Sequence, residues 1–128
     1  MRMRRRRPLL GAARATEGIF ARRIGRIFRD HDVLITPTTA RPPMRCGAID
    51  GLSEWETDKV MIGHCPYAWP INVLGWPAIN VPAGFVDGLP VGAQLVGPPN
   101  SEPMLLSLGA QLEAERAWHE NVARHAAA

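Results

Sequence analysis

Between Phe20 and Phe28 the apolar side chains Phe20, Ile24, Ile27 and Phe28 recur at i, i+4, i+7 and i+8, with Arg22, Arg26 and Arg29 on the opposite side. That period predicts an amphipathic helix over 12–30. The pattern then collapses into a short continuous run, Asp32-Val33-Leu34-Ile35-Thr36. It predicts a buried strand at Val33–Ile35, stopped by Pro37. Residues 37–54 are rich in Pro, Thr and Gly and read as an irregular surface connection. Over 57–65, Val60, Met61 and His64 share one side of a helix that Pro66 ends. Ile71 to Leu74 adds a further helical turn before Gly75. Two short apolar runs follow, and they predict strands at Ala78–Val81 and Val91–Val96. Pro82 and Gly84 close the first, and Asp87-Gly88 between them is a strong turn signal, so the two strands should be antiparallel neighbours. Ser101 reads as the cap of a last helix over 101–117, with Pro103 tolerated in its first turn and Leu105, Leu108 and Leu112 as its buried stripe.

Helix, strand, long loop, helix, strand, strand, helix is an α/β order. Three short strands make little core, yet both flanking helices carry apolar stripes that ask for a sheet to cover. The sheet implied is larger than these 128 residues supply. The chain therefore reads as part of a larger fold. Residues 1–10 form a flexible Arg-rich arm, and 11–128 form the folded part.

Charge sharpens the division. Residues 1–45 hold twelve arginines against Glu17, Asp30 and Asp32, whereas 46–128 hold Lys59, Arg116 and Arg124 against nine acids. The front third carries +9 and the remainder −6, so the net +3 describes neither. Such an arm could grip phosphates electrostatically. It contains no aromatic residue to stack a base and leads into no recognised nucleic-acid motif, so nucleic acid is not the expected partner. The apolar stretch behind the arm is too short for a secretory signal, and no run approaches the roughly 18 apolar residues that span a bilayer. Cytoplasmic placement with reduced thiols at Cys46 and Cys65 is the expectation.

Candidate chemistry is sparse. His64 and Cys65 are sequence neighbours whose side chains diverge, and His119 and His125 fall in the fraying end, so no metal-ligand spacing arises. No metal or cofactor is expected. Ser53 lies in a loop beside acids, Ser107 lies within the last helix, and no Gly-x-Ser-x-Gly turn exists. Lys59 sits among Glu54, Glu56 and Asp58, which predicts a solvated salt bridge at a helix start rather than a general base. Trp69 and Trp76 flank Pro-Ile-Asn-Val-Leu-Gly and either pack under the connection or line a cleft.

The stretch DVLITPTTARPPMRCGAI, followed by NVLGWPAINVPAGFVDGLPVGAQLVGPPNSEPMLLSLGAQLE, resembles the C-terminal portion of amidase signature enzymes. The resemblance is carried by Asp32 to Pro37, by Asn72, Gly75, Pro77 and Ala78, by Pro82 and Gly84, and by Gly88-Leu89-Pro90-Val91-Gly92 with Gln94 and Gly97. It runs from about Phe20 to Trp118. It implies a large mixed sheet covered by helices, of which this chain would hold the C-terminal part. It also implies hydrolysis of a carboxylic amide to acid and ammonia or amine through a serine acyl-enzyme, without metal.

The family's serine nucleophile, second serine, lysine base and oxyanion-hole glycines have no counterparts in this sequence, so no catalytic residue carries over. The family's C-terminal part helps form the acyl-side wall of the substrate pocket, which the resemblance would place at Met61, Cys65 and Trp69. The implied partners are a separate N-terminal amidase half or a second copy of the chain, with a small amide as substrate of the complete enzyme. The alternatives are a noncatalytic subunit paired with such a half and a binding protein that uses its basic arm.

Overall fold

The computed structural model describes residues 16–118, so the Arg-rich arm at 1–10 and the tail NVARHAAA lie outside the described residues. Helix α1 (16–24) passes into a 3-10 turn at Gly25–Arg29. Next come β1 (Leu34–Pro37), α2 (Glu54–His64), α3 (Ala68–Leu74), β2 (Ala78–Val86), β3 (Leu89–Val96) and α4 (Glu102–Arg116). The strands form one antiparallel sheet in the order β1-β3-β2. The α/β class and the antiparallel pairing of the last two strands agree with the sequence pattern.

The connection between β2 and β3 is a two-residue turn. Asp87 (φ 51°) and Gly88 (φ 77°) both occupy the left-handed region, the requirement of a type I′ hairpin. β2 runs past the point where the sequence suggested it would stop. Pro82 and Gly84 do not end the strand; the register shifts between them, and Gly84 takes φ 114° to absorb the extra residue. β2 lies at the sheet edge, where a proline without an N–H is tolerated. β1 likewise includes Pro37 as its last residue rather than stopping before it.

Side chains at paired positions point to the same side of the sheet. Ile79 and Ile35 flank Leu95, and Val81 and Pro37 flank Ala93, on the face that α4 covers. There Val81, Leu95 and Leu105 form the buried core, with Leu108 and Leu112 packed against it. The predicted stripe of α4 is therefore the helix's inner face. Trp118, expected where the helix frays, also packs against this core, just after Ala117 turns left-handed at φ 45°.

The front helix differs from its pattern. Ile24, Ile27 and Phe28 are only half-buried, and Phe20 is exposed. Phe28 meets Trp76 edge to face, with centroids 5.5 Å apart.

Two serines exchange roles relative to expectation. Ser53, read as a loop residue, is the N-cap of α2. Its hydroxyl accepts from Glu56 N–H at 3.4 Å, and its N–H donates to Glu56 Oε2 at 3.0 Å, a complete capping box. That cap moves the helix start from 57 to Glu54. Ser101 holds the N-cap position of α4 only through its backbone, whose carbonyl accepts from Leu105 N–H at 3.0 Å. Its hydroxyl makes no capping bond and is buried without a partner.

Candidate functional site

α2 and α3 are separated by Cys65-Pro66-Tyr67, and this junction carries the residues singled out for the substrate wall. The backbone threads them together. Cys65 N–H donates to the Met61 carbonyl at 2.9 Å, and Trp69 N–H donates to the Cys65 carbonyl at 3.3 Å. Four-residue spacing thus carries across the break that Pro66 imposes. Met61 is 42% exposed and Trp69 60%, and Cys65 is a half-buried free thiol. Around them Trp55, Ile62 and Tyr67 are exposed as well, so the α2–α3 unit presents a broad apolar surface.

The two tryptophans part company. Trp76 is partly buried beneath Phe28, while Trp69 stands in the open.

A polar row on the sheet face opposite α4 ties this unit down. Thr36, Gln94 and Asn80 lie abreast across the three strands. Gln94, 7% exposed, donates from Nε2 to Thr36 Oγ1 at 3.3 Å and to the Tyr67 carbonyl at 3.4 Å. The second bond reaches the residue that leads into α3. Thr38 Oγ1 donates to Asn80 Oδ1, and Ala40 N–H donates to the His64 carbonyl at 2.8 Å, which fixes the loop after β1 to the end of α2. Gly92 lies under this row, and a Cβ there would press on Asn80 and Thr38. Residue spacing gave no sign of the polar row, because its members come from three separated strands.

Lys59 does not form the expected salt bridge. Its ammonium lies over the Trp55 ring, 5.1 Å from the centroid, and no ion pair to it occurs among the described residues. Glu56, one of the acids thought to hold it, is engaged with Ser53; the Ser53 hydroxyl, then its N–H, hold the Glu56 carboxyl below its ordinary value. His64 Nδ1 lies 3.0 Å from the Val60 carbonyl. Arg41, Lys59, Val60, Gly63 and His64 line a shallow depression on α2, and Met61, Cys65 and Trp69 are not part of it. Ser107 accepts from Gln111 Nε2 at 3.3 Å. Among the described residues no three His, Cys, Asp or Glu side chains gather as a metal site would require. No helix among them is long and apolar enough to cross a membrane.

Comparison with known proteins gives this arrangement a lineage. AmiA2 of Mycobacterium bovis, which bears an amidase name, is 54% identical over 111 residues, covering 86% of this chain and 23% of the relative. A glutamyl-tRNA(Gln) amidotransferase subunit of Dehalococcoides mccartyi is 36% identical over 112 residues, covering 88% of this chain and 22% of the relative. The crystal structure of the corresponding glutamyl-tRNA(Gln) amidotransferase subunit from Thermotoga maritima superposes with a TM-score of 0.55 at 27% identity, over 79% of this chain and 24% of that one. The chain thus spans about a quarter of the length of its relatives. The Amidase family model matches residues 2–106, reaching further forward than the motifs do and taking in most of the Arg-rich arm. By that match and by these relatives, the chain belongs to the amidase signature family and holds part of its fold.

Proposed function

We propose that this chain completes the sheet of an amidase and supplies one wall of its substrate pocket, with Met61, Cys65 and Trp69 along the wall. The catalytic serines, the lysine base and the oxyanion donors come from the rest of the fold, either upstream in one polypeptide or in a separate chain. There the serine oxygen attacks the amide carbonyl, the amine leaves with a proton, and water releases the acid from the acyl-enzyme.

The carrying observation is the 54% identity to a quarter of AmiA2, in a stretch whose own serines and lysine are capping, hydrogen-bonded, buried or stacked rather than set as nucleophile and base. Ser53 caps a helix, Ser101 is shut into the packing beside α4, and Lys59 covers an indole. The amidotransferase relatives, each named as a subunit, favour a second reading, in which the chain works inside an assembly of several chains.

Ammonia release from aliphatic and aromatic amides is the test. The 128 residues alone release none above background, and adding the portion of the Mycobacterium bovis relative that precedes the matched stretch restores turnover. In the restored enzyme, Trp69→Ala raises KM more than it lowers kcat. Activity from the chain alone that is lost on Ser101→Ala or Lys59→Ala would sink this reading.

A further inference from the structure

Gly63 is the penultimate residue of α2, and no positive φ demands a glycine there. A Cβ built on it meets nothing within 4 Å, so packing does not demand one either. Glycine in a helix gives up stability that alanine would supply. What the missing side chain does is open the floor of the depression, of about 260 Å3, that Arg41, Lys59, Val60 and His64 enclose with it. The rim is fixed in place. Ala40 N–H donates to the His64 carbonyl at 2.8 Å, and Thr39 Oγ1 donates to the Arg41 carbonyl at 2.9 Å, which seats the Arg41 backbone against the end of α2. The Val60 carbonyl, 3.0 Å from His64 Nδ1, holds the imidazole as a wall. The Trp55 ring steadies the Lys59 ammonium from one side and consumes none of its three N–H donors. Two full positive charges line the depression, and no carboxylate does.

We propose that this depression binds the carboxylate of a small organic acid, at a site separate from the proposed wall of Met61, Cys65 and Trp69 and independent of the amidase reading. The Arg41 fork and the Lys59 ammonium hold the two oxygens, and the apolar body of the acid lies against Val60 across the gap at Gly63. The lining favours a carboxylate over phosphate. Phosphate sites draw on free backbone N–H groups at helix N-termini. These residues instead occupy the C-terminal half of α2, where the helix dipole opposes a dianion more than a monoanion. Inorganic phosphate also has no apolar side to set against Val60.

The test is titration of the labelled chain with benzoate at low ionic strength, read as backbone amide shifts. Wild type gives saturable shifts at 40, 41 and 59–64 with a Kd of about 1–10 mM. Benzamide, the neutral counterpart of the same shape, and inorganic phosphate give no saturation in that range. Arg41→Gln and Lys59→Gln each weaken benzoate about two- to fivefold, with circular dichroism unchanged because both side chains are exposed. Arg45→Gln, which removes an exposed arginine outside the lining, leaves the affinity as it was. Gly63→Ala weakens binding while the α2 amides exchange as slowly as in wild type or more slowly, a combination that loss of fold cannot imitate. The proposal fails if wild type gives no saturable shift, if benzamide or phosphate binds as tightly as benzoate, or if Arg45→Gln weakens binding as much as Arg41→Gln. Full affinity in Gly63→Ala would also overturn it, by removing the role assigned to the open floor.

Discussion

Ser101 Oγ is packed beside Gly97, where a glycine Cβ would overlap the hydroxyl and come within 3.0 Å of the Ser101 Cβ. A hydroxyl buried without a partner costs desolvation and gains nothing in exchange. Ser101→Ala is therefore neutral or stabilising, by up to about 1 kcal/mol. Ser53→Ala removes a working cap and costs about 0.5–2 kcal/mol. Urea unfolding of the two variants separates the roles; a Ser101→Ala loss as large as that of Ser53→Ala would restore the capping reading. Gly97→Ala drives a methyl into the same packing and costs about 1–3 kcal/mol. The Ser53 cap was legible, since Ser-Glu-Trp-Glu fits the Ser-x-x-Glu signature. The acids around Lys59 pointed to an ion pair instead. The partnerless state of Ser101 was not legible, because only the approach of Gly97 creates it.

Among the elements, the hairpin stood out best. Asp-Gly between apolar runs carries its own backbone demand, and Gly88→Val at φ 77° should cost about 1–2 kcal/mol with loss of hairpin amide protection. The strand ends were less visible, because a proline stops a central strand but not an edge one. Edge position is a property of the assembled sheet. Gln94 was conspicuous only as part of a family motif, and its clamp on Tyr67 required three-dimensional neighbours. Gln94→Leu should cost about 0.5–1.5 kcal/mol by removing its bonds to Thr36 and to the Tyr67 carbonyl, with the largest amide shifts at Tyr67 to Trp69; shifts confined to the sheet would contradict the clamp.

Acid acts on α2 in a definite direction. The Glu56 carboxyl is held below its ordinary 4.5, so its contribution to the cap is complete above that value. It is lost as the pH falls through the lowered value of the folded state. Ser53 amide exchange that stays constant while the carboxyl titrates would contradict this.

At the scale of the molecule, the buried apolar side chains among the described residues are few: Ile71, Val81, Leu95, Val96 and Leu105. Against them stand exposed Ile35, Trp55, Ile62, Trp69 and Leu106. The isolated chain should unfold in urea with less than about 5 kcal/mol and associate as concentration rises. Light scattering and the urea transition check this together. A sharp transition of a lasting monomer would show that the small core suffices. Leu105→Ala, at 2% exposure, should cost about 2–5 kcal/mol and leave little folded chain. The incompleteness was legible in the mismatch between two helical stripes and three strands. Which surface was left bare depended on how far α4 reaches across the sheet, and no periodicity encodes that.

The ladder β1-β3-β2 also fixes an order of assembly. β2 and β3 meet across two residues, whereas Leu34 must find Val96, sixty-two positions along the chain. Closing a loop of that length costs chain entropy before four residues of pairing repay any of it. The hairpin and α4 should therefore form first, with β1 arriving last and leaving first. Native-state exchange should show β1 opening at lower denaturant than Asn80, Val81, Gln94 and Leu95. The edge strand β1 is then the one whose seating comes last, so anything that binds it in its seated place stabilises the closing step of the fold by mass action.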